Sequence, residues 1–419
     1  MKISVYRGFL LFFLAWIAAC LLGALPYFLS GYIPDFTGAV FESVSGFTTT
    51  GMTVIKDVEI LPKPLLFWRA LTQWLGGMGI VVFSTALFPF LGEGGFRLLK
   101  AEAPGPGAER IVPRITGTAR ILWLIYAALT AAQTLLLFIF GMDWFDALIH
   151  AFSTVATGGF SSRNSGIAYY QSPAVEWICA VFMLLAGFNF ILMFRLLQGK
   201  FREVRRNSEA RAYCAVILVS VLIVAFSILP QNRPVEEALR YAVFHTASII
   251  TTTGFFSADY NAWPSLAQGV LFFAMFMGGC TGSAAGGIKM IRHVIFWKQT
   301  GNEIKKIVHP KGVFTIRING NSGRKDMVYG VTGFVFLYVL VLIFCAFLVS
   351  SAGEDIFTSL NTALLTLGNI GLGMGRTGPF LPFPEFPGYV MWGLSFAMLL
   401  GRFELWTVLV FFTEYFRRK

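Results

Sequence analysis

The chain has 419 residues, of which 56% are hydrophobic and only 13% charged, with a formal net charge of +11. That apolar fraction excludes an ordinary soluble globule and indicates an integral membrane protein. Five cysteines without CxxC spacing (Cys20, Cys179, Cys214, Cys280 and Cys345) exclude a disulfide framework or a thiolate metal site, and read as small apolar packing residues.

A helix needs about 20 apolar residues to cross a bilayer. In chain order the candidates are Phe9–Leu29, Leu65–Phe90, Ile121–Phe140, Ala174–Phe194, Ala212–Leu229, Leu266–Gly279 with a continuation beyond it, Val328–Val349 and Tyr389–Phe412. The stretch IAAC at Ile17–Cys20 resembles a lipoprotein cleavage box, but the apolar run continues through Leu21, Leu22 and Leu25, so it reads as part of an uncleaved first span.

Charge sorts by side. The N-terminus, the segments Leu91–Arg120, Arg195–Arg211 and Ile288–Asp326, and the C-terminal RRK hold 25 of the 33 Lys and Arg. The alternate connections hold six, while Arg69 and Arg402 lie inside spans. By the positive-inside rule the basic side is cytoplasmic. The basic clusters orient the protein against membrane lipid and are not a nucleic-acid footprint. The outer connections carry thirteen acids against those six bases, a surplus that would steer cations inward. Taken singly, those acids also fit ordinary helix capping.

Between the members of each successive pair of spans lies a semi-polar loop: SGFTTTGMT at Ser45–Thr53, STVATGGFS at Ser153–Ser161, SIITTTGFFS at Ser248–Ser257 and LGNIGLGMG at Leu367–Gly375. Aligned on Gly51, Gly158, Gly254 and Gly371, they recur at spacings of 107, 96 and 117 residues. A short apolar stretch precedes each, with acids near its start in IPDF, MDWFD, RPVEE and GEDIF, as at a helix N-terminus. Some ten apolar residues are too few to span, so each stretch reads as a re-entrant half-helix. The expected fold is an all-α integral membrane protein of four units, each span, half-helix, loop, span, over residues 1–95, 96–205, 206–310 and 311–419. Re-entrant backbone at membrane depth must be buried in protein or line a watery cavity. Four glycine-ended loops around one axis could turn carbonyls inward and replace the hydration shell of a monovalent cation.

At these four loops, at GGCTGSAAGGIK (Gly278–Lys289) and at LGRFELWTVLVFFTEYF (Leu400–Phe416), the chain resembles the ion-conducting subunit of the Trk/Ktr/HKT superfamily of potassium transporters, and most of all its TrkH-like branch. The resemblance runs over nearly the whole length. It implies a fourfold pseudosymmetric, potassium-selective channel in a bacterial-type inner membrane, loops outward, assembled as a homodimer with one pore per protomer. It also implies a cytoplasmic ring of TrkA- or KtrA-type regulatory subunits. Nucleotide (NAD, ATP or ADP) would sit on that ring and not on this chain, which would carry K+ and no covalent cofactor. The filter would be the backbone at Thr49, Thr50 and Gly51; Ala156, Thr157 and Gly158; Thr252, Thr253 and Gly254; and Asn369, Ile370 and Gly371. Glycine in all four repeats goes with potassium preference in that superfamily, and serine in the first with sodium. Many members of the TrkH-like branch have an additional N-terminal helical hairpin, whereas this chain starts at its first repeat. Eight core spans are therefore expected, as in Ktr-type subunits.

The third unit's second span contains GGCTGSAAGG, with Gly278, Gly279, Gly282, Gly286, Gly287 and Ser283 and nothing larger than Thr or Cys. Each interior glycine costs a helix about 1 kcal/mol relative to alanine, so the span is expected to break there. Close helix packing of small residues is the other reading. The resemblance favours a mobile intramembrane gate beneath the filter. The other second spans change character at LGGMG (Leu75–Gly79), AGFN (Ala186–Asn189) and LGRFE (Leu400–Glu404). Arg402 at mid-span is expected to face the pore and bond the carbonyls of the glycine segment; pairing with Glu404 or snorkelling is the alternative. Asn189 would face the cavity or make an interhelical bond.

Four histidines without an HExxH pattern, no GxGxxG after a strand and no intramembrane carboxylate pair speak against an enzyme. His150 and His245 fall in half-helices, where a structural hydrogen bond is expected. A sodium-permeable or ion-coupled (Na+/H+ symport) transporter is the rival within transport, but such proteins need intramembrane acids, and Glu404 is nearly alone.

Overall fold

The structure is a computed structural model describing residues 5–87, 115–231, 234–319, 321–322, 325–403, 405 and 408. Glu404, the C-terminal RRK and most of the basic segment 91–120 lie outside these residues. The described chain is helical apart from one short antiparallel hairpin, β1 (Arg317–Ile318) with β2 (Asn321–Ser322).

Among the described residues, four helices are continuous and apolar enough to cross a bilayer: α1 (Val5–Leu29), α4 (Ile115–Ile139), α9 (Ser208–Ile228) and α13 (Lys325–Ser350). No more than 33% of each apolar window is buried inside the protein. Leu22, Leu124, Phe226 and Phe344 are exposed on these four helices. So much outward apolar surface is stable only against lipid.

Each of these helices is followed by a short one: α2 (Phe36–Phe47), α5 (Trp144–Val155), α10 (Val235–Ile250) and α14 (Ile356–Gly368). The acids expected at their starts are in place. Asp35 caps α2, Asp143 caps α5 and Asp355 caps α14, each carboxylate accepting amides of the first turn. α10 has Pro234 before it and Glu236 and Glu237 in its first turn. The short helices are buried along most of their length, unlike the helices that precede them.

The second element of each unit varies. α3 (Lys63–Leu87) runs continuously through Leu75–Gly79. Its glycines serve close approach: a Cβ at Gly76 would overlap the Phe47 carbonyl, and one at Gly77 would press on Ala156. The expected single span Ala174–Phe194 is instead a pair, α6 (Pro173–Ala186) and α7 (Phe190–Leu197), bent by 102°. The break falls at Gly187–Asn189, where the Asn189 side chain accepts from the amides of Ile191 and Leu192 and starts α7. A short helix, α8 (Phe201–Arg206), leads on to α9. In the third unit α11 (Ser265–Ala274) ends early, residues 275–289 are not helical, and α12 (Met290–Val308) resumes. The break is wider than the glycine run alone. In the fourth unit α15 (Gly388–Phe403) is continuous, and Gly401 abuts the Leu367 carbonyl at the end of α14.

Long and short helices pack pairwise, α1 on α2, α4 on α5, α9 on α10 and α13 on α14. Between units α3 packs on α5, α6 on α10 and α12 on α13, and α15 returns to pack on α2. The last of these helices thus returns to the first short one. All five cysteines are free, four of them buried in this packing.

Candidate functional site

The four loops leave their half-helices with the same backbone bonds. The amides of Thr50, Gly158, Thr253 and Ile370 donate to the carbonyls of Ser45, Ser153, Ser248 and Leu365. The residue before each donor has positive φ: Thr49 at 54°, Thr157 at 55°, Thr252 at 56° and Asn369 at 53°. The residue after it is a glycine with positive φ: Gly51 at 85°, Gly159 at 77°, Gly254 at 79° and Gly371 at 80°. The structural counterpart of Gly51 in the second loop is therefore Gly159. Alignment on Gly158, with Ala156–Thr157–Gly158 as that loop's triplet, is one residue out of register. Gly158 is small for another reason. Gln73 of α3 fills the place of its side chain, donating to the Gly158 carbonyl at 2.7 Å and accepting from the Phe160 amide at 3.1 Å.

A threonine at positive φ is a real outlier, worth about 1–3 kcal/mol of strain, and three in equivalent places mark a constrained site. The contacts of the four glycines are equally regular. A Cβ on Gly51 would overlap the Gly158 carbonyl oxygen, one on Gly159 the Thr253 carbonyl, one on Gly254 the Ile370 carbonyl, and one on Gly371 the Thr50 carbonyl. Each loop leans on the next and the fourth on the first, a closed cycle of backbone contacts. Asn369 strengthens the closing step, its amide donating to Thr50 Oγ1 at 2.9 Å and to the Met398 carbonyl at 3.0 Å. Thr49 Oγ1 and Asn369 Oδ1 are buried acceptors without a protein partner.

Behind the loops stands a second layer of polar braces. Glu42, His150 and His245 lie nine residues before Gly51, Gly159 and Gly254. Glu42 accepts from Thr53 Oγ1 and the Val54 amide, both at 3.0 Å, and from Arg69 Nε at 2.9 Å. Arg69 in turn donates to the Ser161 carbonyl at 3.2 Å and lies 4.1 Å above the Phe160 ring, joining the first loop to the second. His150 and His245 each set Nδ1 against a carbonyl one turn back, Asp146 and Tyr241. That contact puts the proton on Nδ1 and leaves Nε2 an acceptor, facing Ser161 Oγ in the first case and the amides of Ser257 and Ala258 in the second. Asn361 braces the fourth loop through the Met374 carbonyl at 2.7 Å. Both histidines thus carry the structural hydrogen bonds expected of them.

The glycine-rich segment folds back under the third and fourth loops. Its neck is closed by the Gly278 amide on the Ile288 carbonyl at 2.9 Å and the Met290 amide on the Gly279 carbonyl at 3.0 Å. The Gly286 amide donates to Thr252 Oγ1 at 2.7 Å, and Gly286 lies against Gly368 and Asn369. Gly282 (φ 75°) and Gly287 (φ 67°) bound the turn, and Ser283 bonds back to the Cys280 carbonyl. Arg402, buried on α15, donates through Nη1 to the Ala284 carbonyl at 2.8 Å and through Nη2 to the Gly76 carbonyl at 3.3 Å. Its guanidinium therefore ties α15, α3 and the segment together. Asn189 meets the same segment, donating to the Thr281 carbonyl at 2.5 Å.

A family model described as TrkH, cation transport protein, matches residues 2–417. The chain belongs to the TrkH family. Among its relatives are the Trk system potassium uptake protein TrkH of Halomonas elongata, 41% identical over 98% of this chain and 86% of that one, and TrkG of Escherichia coli, 33% identical over 98% and 85%. The crystal structure of the potassium transporter TrkH from Vibrio parahaemolyticus superposes with a TM-score of 0.87 at 35% identity, covering 98% of this chain and 86% of that one. The TrkH family is a family of transporters, not of enzymes. Among the described residues no cluster of His, Cys, Asp or Glu is arranged to hold a metal ion.

Three features of this TrkH-family chain escaped the sequence. The register of the second loop is one. The buried Glu42–Arg69 pair is another, although an arginine inside a span calls for a buried partner and that rule would have directed attention to Glu42. The third is the ion pairing of the acids in the loop-bearing connections, where the sequence suggested helix capping. Asp146 pairs with Arg163, Glu176 with Arg240, Glu354 with Arg376 and Glu385 with Lys56, while Asp57 and Asp259 cap short 3₁₀ turns. The acids of these connections outnumber the bases, but most of them also do local structural work.

Proposed function

We propose that the chain is the potassium-conducting subunit of a K+ uptake system, with four pseudosymmetric units around one pore. The repeat boundaries are those read from the sequence. The observation that carries the reading is the cycle of glycine-to-carbonyl contacts. Backbone held at this proximity, with strained threonines and unpartnered buried oxygens beside it, suits a dehydrated monovalent cation coordinated by carbonyls. The C-terminal ends of four half-helices converge there and add negative potential. The filter is then Thr49–Thr50–Gly51, Thr157–Gly158–Gly159, Thr252–Thr253–Gly254 and Asn369–Ile370–Gly371. The glycine segment, Gly278 to Gly287 with Ser283, is the gate beneath it, and Arg402 is its positive latch. Relatives named as Trk system potassium uptake proteins support K+ as cargo.

On this reading the loops face outward from a bacterial inner membrane and the basic segments face the cytoplasm. The protein works as a homodimer under a nucleotide-binding regulatory ring. Passive conduction is favoured over ion coupling because the buried acids Glu42, Asp146 and Glu176 are each paired with an arginine, Arg69, Arg163 and Arg240, and the buried Glu209 is tied by three hydrogen bonds, so that all four are poor carriers. Rubidium-86 uptake into liposomes holding the purified chain, competed with potassium, sodium and lithium, tests the proposal. Potassium should compete far better than sodium; equal competition would remove the potassium assignment.

A further inference from the structure

One buried acid has no part in the filter or in the arginine latch. Glu209 stands in the first turn of α9, 6% exposed, on the side of the molecule that carries the basic segments. Nothing in its own helix requires it, since Asn207 already caps α9 by accepting from the Ala210 amide at 3.0 Å. Its Oε1 instead reaches across to the third unit's broken span. It accepts from the Thr281 amide at 2.6 Å, from Thr281 Oγ1 at 3.0 Å and from the Ile291 amide at 3.2 Å. Three donors on one oxygen suit an anionic acceptor. Two of them come from the root of the glycine segment and one from the first turn of α12, just beyond its end.

Glu209 therefore grips both sides of the neck closed by the Gly278–Ile288 and Gly279–Met290 backbone bonds. Asn189 holds the Thr281 carbonyl from the opposite side, so the Thr281 residue is pinned at its amide, hydroxyl and carbonyl. The stretch beyond it, between the positive-φ glycines 282 and 287, is held by side chains through Arg402 on Ala284, Thr252 on Gly286 and Lys289 on Ala285, and by backbone at the α6–α7 bend, the Ala284 amide donating to the Ala186 carbonyl and the Phe190 amide to the Gly282 carbonyl, both at 3.2 Å. The segment thus has a fixed root and a releasable tip. The anchor is itself moored, because the Ser208 amide donates to Asn319 Oδ1 at 2.6 Å in the β1–β2 hairpin.

We propose that Glu209 is the positioning residue of the gate: it fixes the root of the glycine segment to α9 and to the start of α12, so that opening is a swing of the tip about Gly282 and Gly287 and not a displacement of the whole span. The inference rests on the reading of that segment as a gate.

The test is rubidium-86 influx into proteoliposomes of the full chain without any partner, comparing wild type with Arg402→Ala, Glu209→Ala, Glu209→Gln, Thr281→Val, Thr281→Ser and the Glu209→Ala/Thr281→Val double variant. Losing hydrogen bonds to a charged acceptor should raise partner-free influx roughly tenfold for Glu209→Ala, and less for Glu209→Gln, which keeps an oxygen in place. Thr281→Val should raise it less than Glu209→Ala, Thr281→Ser should match wild type, and the double variant should equal Glu209→Ala, because both changes delete one contact. Potassium-over-sodium competition should stay as in wild type throughout. A monodisperse Glu209→Gln or Thr281→Val protein whose influx equals wild type, while Arg402→Ala conducts, overturns the anchor and leaves the gate reading standing. Additive effects in the double variant overturn it as well. No influx in any variant, Arg402→Ala included, overturns the conduction reading and the anchor with it.

Discussion

At the level of single residues, the second loop carries two adjacent glycines that are small for different reasons. Gly158 makes room for the Gln73 side chain, and Gly159 makes room for the Thr253 carbonyl at a φ that only glycine adopts cheaply. The two cases separate under mutation. Gly158→Ala should cut rubidium uptake and be partly rescued by Gln73→Ala, which empties the occupied space. Gly159→Ala should not be rescued by any change at Gln73, because its clash is with backbone. Rescue of Gly159→Ala by Gln73→Ala would return the filter register to Gly158. Gly51→Ser puts its Cβ against the Gly158 carbonyl and should admit sodium by displacing one of the coordinating oxygens. Unchanged potassium-to-sodium competition in that variant would count against the filter assignment. Arg402→Ala frees the Ala284 and Gly76 carbonyls and should raise uptake in the absence of any partner. Unaltered or lower uptake would make the residue a structural tie.

Elements were legible where a local rule and a tertiary need agree. The four long apolar helices and the four short ones, three of them capped by an aspartate, could be read from the sequence, because a membrane span needs length and a buried helix start needs an acceptor. The break at GGCTGSAAGG was legible for the same reason, since glycine weakens a helix wherever it stands. Leu75–Gly79 and Gly401 show the limit. There the same residue type marks close approach of an intact helix to the carbonyl end of a half-helix, and only the neighbour's position separates the two cases. The 102° bend at Gly187–Asn189 depends likewise on Asn189 capping α7 while reaching Thr281, 92 residues on. The braces behind the loops were invisible because Glu42, His150 and His245 share a place but not a chemistry, and Asn361 stands one residue off that register. Their equivalence predicts a hierarchy. Glu42→Gln should shift potassium-to-sodium competition more than His245→Gln, because Glu42 holds Arg69 and through it the second loop, whereas His245 meets its own loop at 3.4 Å. Equal shifts in the two variants would show that the ion pair has no special part in holding the loops.

For the molecule as a whole, the proposed fourfold arrangement requires the last loop to meet the first. Three of the four loop-to-loop contacts join loops that follow one another in sequence, and the fourth joins the last to the first. That last junction rests on α15 against α2 and on Asn369, whose amide bonds Thr50 Oγ1 and the Met398 carbonyl. Asparagine suits the place twice over, as one of the few side chains at ease with φ of 53° and as the donor that closes the cycle. The two contributions can be parted. Asn369→Gly keeps the backbone and loses the bonds; Asn369→Leu loses both. If the bonds hold the ring closed, both variants should lose discrimination against sodium, with Asn369→Leu the less stable by roughly 1–2 kcal/mol for its strained backbone. If Asn369→Gly keeps wild-type competition and only Asn369→Leu loses it, backbone geometry alone closes the ring. Thermal unfolding in detergent beside rubidium uptake separates these outcomes. The first result would place selectivity in a side-chain contact between residues 319 positions apart, made between the last loop and the first.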